Sequence, residues 1–262
     1  MTTLAARTIA ALRAEHDALA SVSAAFVSDQ LASPSGASEW TVAQVFSHLG
    51  SGAEIALAAF RAELGEAETP GPDFNQGVWD RWNALTPEEQ LAGWRESDGV
   101  FVAALEALTP EQREEVQINP GFLPQPVPVA SFAGLRLSEV AHHSWDIRVA
   151  ADPAAGLTAD TADLLAEHLS DGLSFLLGFI AKPDVVADPA VVAIGDTPYR
   201  LVLADETRFT TDAPTPTATF EGPLESALRL LVGRLTPPHT PETVKVTGNV
   251  TLDDLRSTFP GF

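Results

Sequence analysis

Glu139 and His143 stand four residues apart in the segment LSEVAHHSWDIRVA, and His48 lies far upstream in TVAQVFSHLG. A spacing of four puts the carboxylate and the imidazole one above the other on the same face of a helix. Phe132, Leu135, Ile147 and Ala150 fall along that stripe, which therefore reads as apolar. An ionisable pair in such a stripe has to be compensated, because a bare buried charge is costly or neutralises itself. A divalent metal would compensate both groups at once, with His48 from a neighbouring helix as the third ligand. Three protein ligands leave a coordination position open, the arrangement of a catalytic rather than a structural zinc. On a solvated helix the same pair would be an ordinary i,i+4 contact worth a few tenths of a kcal/mol.

The neighbouring residues qualify this reading. Asp146, two turns beyond Glu139, can orient a ligand by accepting its second ring proton, or it can be an ordinary surface acid. His142 is about 100° round the helix from His143 and cannot share its geometry. His16, His168 and His239 have no partner at metal-ligand spacing and read as structural or exposed. The tryptophans at 40, 79, 82, 94 and 145 read as core and pocket walls.

Composition removes several other chemistries. The chain has no cysteine, which excludes disulfides, cysteine-based metal sites and a protein thiol nucleophile. Any sulfur chemistry would need a small-molecule thiol from outside. No glycine-rich phosphate loop, Gly-x-Ser-x-Gly elbow or His-Glu-x-x-His motif occurs. The net charge of −21 comes from 36 acidic against 15 basic residues, and only Lys182 and Lys245 are lysines. Such a surface repels phosphate backbones and anionic headgroups, so neither nucleic acid nor membrane is an expected partner. The first helix is interrupted by charges, and no apolar run reaches membrane-spanning length. A cytoplasmic protein is the expectation.

The elements that must position these residues are mostly helices. Leu4, Ile9, Leu12, Leu19, Phe26 and Leu31 recur with helical spacing until SPSGAS breaks the run. A second helix starts near Thr41 and runs to about Leu64, with His48 at the edge of its inner face. Thr86, Pro87 and Glu89 form an N-cap, a proline at the first helical position and a capping-box acid, and TPEQ (109–112) opens a second short helix the same way. INPGFLPQPVPVA (118–130) carries prolines that no long helix can pass, and makes a loop or pocket wall just before the Glu139 helix. A further helix is expected over Ala159–Ala181. Beyond it VVAI (191–194), YRLVL (199–203), TATF (217–220) and VKVTG (244–248) read as strands. LESALRLLVGRL (224–235) reads as a helix between them, and a last short helix starts near Leu252. The expected division is an all-helical domain over 1–185 and a small α+β domain over 186–262.

Trp40-Thr41-Val42 leading to Ser47-His48-Leu49, then Glu139 through His143-Ser144-Trp145-Asp146, resembles the DinB-like metalloproteins of actinobacteria, and among them the mycothiol-dependent maleylpyruvate isomerase family. The resemblance covers nearly the whole chain. It implies a DinB-like four-helix bundle followed by a small sterol-carrier-like α+β domain, with LLVGRL in the latter's apolar helix. It also implies a divalent metal, usually zinc, held by His48, Glu139 and His143, the residues already singled out by spacing. Arg81 and Arg234 are the arginines that the resemblance offers for holding an acidic substrate or the thiol cofactor.

The activity implied is a metal-dependent one in which mycothiol sulfur, made a thiolate at the open position, adds to the double bond of maleylpyruvate. Rotation and elimination would then give fumarylpyruvate. An electrophile with a leaving group or an epoxide would instead undergo thiol S-transfer. Two further classes stand beside this one: a metal-dependent hydrolase recruiting Asp146 or Glu54 as base, and a non-enzymatic carrier holding an apolar ligand in the C-terminal domain. The expected partner is an acidic or electrophilic small molecule, and the expected state is a monomer or homodimer.

Overall fold

The computed structural model describes residues 2–37, 39–182 and 188–261. Contacts within the chain divide it into two units, Met1–Asp152 and Pro153–Phe262. The border expected at 185/186 lies outside the described residues. By contacts, residues 153–182 group with the sheet-bearing unit.

The first unit contains α1 (Leu4–Val22), α2 (Ser28–Leu31), α3 (Val42–Glu63), α4 (Phe74–Asn83), α5 (Pro87–Glu106), α6 (Pro110–Glu115) and α7 (Val129–Val149). Between α6 and α7, β1 (Gln117–Ile118) pairs antiparallel with β2 (Val127–Pro128), so the proline-rich segment is a loop closed by a short ladder. Threonine starts many of these helices. Thr41, Thr86 and Thr109 each accept from the backbone N–H three residues on, and Gln44, Glu89 and Gln112 reach back to complete capping boxes. These caps satisfy N–H groups that a helix start otherwise leaves unpaired.

The long helices pack pairwise, α3 against α5 and α7, and α1 against α5 and α7. Their shared interior holds Leu12, Val45, Phe46, Trp94, Phe101, Leu137 and Trp145, all nearly inaccessible to solvent. Gly50 makes one close approach possible. A Cβ there would fall 2.1 Å from the Trp82 ring, so the indole of α4 lies directly on the α3 backbone. The helical spacing from Leu4 to Leu31 is not one helix. α1 ends at Val22, a 3-10 turn spans Ser23–Ala25, and α2 restarts at Ser28.

The second unit begins with α8 (Ala159–Leu169), followed by a 3-10 turn and α9 (Leu177–Ile180). The single helix expected over Ala159–Ala181 is therefore broken. Ser170-Asp171-Gly172 ends it, and the Leu173 N–H returns to the His168 carbonyl at 2.8 Å. Residues β3 (Ala190–Ile194), β4 (Arg200–Leu203), β5 (Arg208–Thr210), β6 (Ala218–Glu221) and β7 (Lys245–Gly248) form a sheet of order β5-β4-β3-β6-β7. β3 and β6 are parallel and the other neighbours antiparallel. β5 is an edge strand of three residues that sequence patterning did not reveal. Helix α10 (Leu224–Leu231) packs on α8, and α11 (Leu252–Thr258) closes the chain. Gly233, at φ 74°, ends α10 four residues before the expected Leu235, because left-handed backbone favours glycine.

Candidate metal centre

His48 sits in the second turn of α3, and Glu139 and His143 lie one turn apart on α7. The packing of α3 on α7 brings the three together, with a ligating atom from each lying within 4.8 Å of the others. His48 Nε2 is 3.0 Å from Glu139 Oε2, and His143 Nε2 is 3.6 Å from the same oxygen. Ligands about 2.1 Å from a tetrahedral zinc stand roughly 3.4 Å apart, so this spacing suits one small ion. Two imidazole nitrogens and a carboxylate oxygen are also the donor types such an ion takes.

Asp146 is the residue that fixes His143. It is fully buried, and its Oδ2 accepts from His143 Nδ1 at 2.8 Å. An ionised carboxylate only accepts, so the ring proton is on Nδ1 and the Nε2 lone pair faces the cluster. The surface-acid alternative for Asp146 is excluded by this burial. Trp40 covers the same rings, with its indole 5.0 Å from His48 and 5.9 Å from His143 between centroids. Its loop is anchored to α7 by the Gly36 N–H, which donates to the Asp146 carbonyl at 2.7 Å. Glu39, just before Trp40, has a φ of 70°, a left-handed conformation that costs a non-glycine residue about 1 kcal/mol.

The apolar stripe proposed for this face needs correction. The Glu139 side chain is 52% exposed and His143 only 12%, so the pair stands at a rim rather than inside the core. Ala150 is exposed and Leu135 half-buried, while the residue turned inward one turn before Glu139 is Arg136. Surrounding protein pushes the Glu139 carboxyl up. The hydrogen bond from His48 and the electrostatic pull of the neighbouring imidazoles and Arg136 outweigh that and hold it well below the usual carboxylate range. A carboxylate kept ionised among imidazoles is a ready ligand for a cation.

Beside His48 opens a cavity of about 460 Å³ lined by Trp40, Gln44, Ser47, Ser51, Trp79 and Asn83, among others. Apart from His48, its polar lining consists of hydroxyl and amide side chains. Arg81 lies on α4 between Trp79 and Asn83, but its guanidinium donates to both Glu54 oxygens, at 2.6 and 3.2 Å. Glu54 also accepts from Trp82 Nε1 at 3.0 Å. Arg81 is therefore already engaged within the protein. Arg234 belongs to the second unit, follows Gly233 and donates to the Val232 carbonyl at 3.2 Å.

Two other histidines have local partners. His142 is buried and its Nδ1 meets the Ser138 carbonyl at 2.8 Å. His16 is buried against Asp98, a pairing that sequence spacing could not show because the partners lie on α1 and α5.

Three comparisons bear on this arrangement. Residues 12–148 match the family described as mycothiol maleylpyruvate isomerase N-terminal domain. An uncharacterised protein of Mycobacterium tuberculosis, found in two strains, is 33% identical over 145 residues, 53% of this chain and 54% of the relative. The match thus spans about half the length of these relatives. Two crystal structures titled mycothiol-dependent maleylpyruvate isomerase, one of them a mutant, match over the whole of both chains. Their TM-scores are 0.65 and 0.64, at 16% and 18% identity, which speaks to the fold.

Proposed function

The chain belongs to the mycothiol maleylpyruvate isomerase N-terminal domain family, and on that premise we propose a metal-dependent enzyme that uses an exogenous low-molecular-weight thiol of the mycothiol type. The observation that carries the reading is the cluster of His48, Glu139 and His143 with buried Asp146 behind it. These three side chains are the proposed ligands of one divalent ion, with zinc as the best match to their number and type. When bound, such an ion lowers the pKa of a thiol at its open position and so supplies a nucleophile at neutral pH. The reaction proposed is isomerisation of an acidic, electron-poor double bond of the maleylpyruvate type, or transfer of the thiol to an electrophile.

The chain's own residues do the rest. Asp146 holds the His143 ring and its proton, leaving Nε2 for ligation. Trp40 lies against both imidazoles and restricts water on that side. The uncharged wall from Gln44 to Asn83 offers hydroxyl and amide groups to a bulky polar cofactor. Arg81 and Arg234 stay, each by itself, the arginines that the family resemblance offers for an acid group, and Arg81 would have to release Glu54 to take one. The hydrolase alternative loses support here, because both candidate bases are occupied: Asp146 by His143, and Glu54 by Arg81 and Trp82.

The test is spectroscopic. Cobalt-substituted protein titrated with mycothiol should change its visible spectrum as sulfur enters the coordination shell. No change at saturating thiol, with cobalt demonstrably bound, would contradict the thiol-dependent reading and put the hydrolase ahead of it.

A further inference from the structure

A line of buried charge crosses the first unit beside the side-chain cluster of His48, Glu139 and His143. His16 on α1 donates from Nδ1 to Asp98 Oδ2 on α5 at 2.8 Å, since the ionised carboxylate can only accept. The other Asp98 oxygen accepts from Arg136 Nη2 of α7 at 2.8 Å. The same nitrogen donates to the Leu49 carbonyl of α3 at 2.6 Å. Asp98 is fully buried, and His16 and Arg136 nearly so. The chain of contacts therefore touches all four long helices of the unit.

Two of its contacts fall next to the metal ligands. Leu49 directly follows His48, and Arg136 lies one turn before Glu139. Gly52 leaves room for this reach, because a Cβ there would come within 3.0 Å of Arg136 Nη1. The guanidinium also sits 6.0 Å from the centre of the Phe101 ring. Buried ion pairs are poor stabilisers, and well-packed apolar replacements often equal or exceed them. Stability is thus a weak reason for this arrangement, whereas fixing the distance between α3 and α7 is a specific one.

We propose that Arg136, held by Asp98 and His16, is a positioning residue that sets His48 against Glu139 and His143 at ligating distance. The inference rests on the metal reading of those three residues. Asp98 has a second effect with the same sign. It neutralises Arg136, so that a full positive charge does not stand uncompensated one turn from a bound cation. Loss of the Asp98 carboxylate therefore weakens cation binding both by slackening the α3–α7 spacing and by repulsion.

The experiment measures cobalt affinity by competition with a chromophoric chelator, the cobalt absorption spectrum, and Tm, on the full chain and three variants. Asp98→Asn and Arg136→Lys are expected to bind cobalt about tenfold or more weakly, the size usual for residues that support ligands. The double variant D98L/R136M replaces the pair by apolar side chains and is expected to keep a Tm near that of the parent. It should still bind cobalt at least about tenfold more weakly, with a shifted spectrum. A merely structural role predicts the opposite for that variant: Tm and metal affinity restored together, with an unchanged spectrum. That result, or a folded Arg136→Lys protein with parental affinity, overturns the proposal. A parent protein that binds no cobalt overturns the metal reading itself, which separates the two failures.

Discussion

At the residue scale, His143 is the side chain on which the site turns, and Asp146 is what makes it usable. An imidazole free to rotate offers a metal either nitrogen; one tied through Nδ1 to a buried carboxylate offers only Nε2. Asp146→Asn keeps the shape but can donate as well as accept, so the ring loses its fixed tautomer. We expect this variant to fold and to bind zinc roughly 10–100-fold more weakly, measured by chelator competition. Equal affinity would mean that the Asp146 contact only packs the helix. The clustering of His48, Glu139 and His143 was legible from sequence because two of the three share a helix face and helical spacing is a strong signal. Arg136 and Asp98 were not legible. Their partners lie on other helices, and a charged residue three positions from Glu139 reads as solvated until packing shows it buried.

At the scale of elements, the parts that sequence defined well are those with their own local chemistry. Thr41, Thr86, Thr109 and Thr251 each begin a helix where a capping box can form, and the starts fall where their side chains say they should. The ends were harder. Hydrophobic spacing continues from Ala159 past Leu169 although the helix stops, because the turn through Ser170-Asp171-Gly172 interrupts the helix without breaking the apolar pattern. The same is true of Leu4 to Leu31, where burial persists across a change of element. β5 is too short for alternation to register, and its edge position follows from pairing with β4 alone. Gly50 and Gly52 form a further signal of a different kind. Two glycines inside a long helix weaken it by about 1 kcal/mol each relative to alanine, and here each admits a neighbour, Trp82 or Arg136.

At the scale of the whole molecule, the 36 acidic residues set the response to pH. Burial pushes Glu54, Asp98 and Glu225 up, but hydrogen bonds and cationic partners outweigh it, and all three are held below the ordinary carboxylate range. Their partners are Arg81 and Trp82, His16 and Arg136, and Arg229 and Ser226, respectively. A group depressed in the folded state contributes stability above its unfolded pKa, about 4 for carboxylates, and loses it as pH falls through the folded value. We therefore expect the urea midpoint at fixed ionic strength to stay nearly level from pH 7 to about pH 5 and to fall below about pH 4. A midpoint that climbs steadily down to pH 3 would show that relief of the −21 net charge dominates instead. Among the described residues no helix is long and apolar enough to cross a membrane, in keeping with the absence of long apolar runs in the sequence.

The metal content of the purified protein is the most direct measurement, taken by elemental analysis on the parent and on His143→Ala, with helicity followed by circular dichroism. About one zinc or similar divalent ion per chain is expected in the parent, with its loss from a variant whose helices remain intact. A native, fully helical parent that carries no such ion and takes none up from buffered zinc would contradict that expectation.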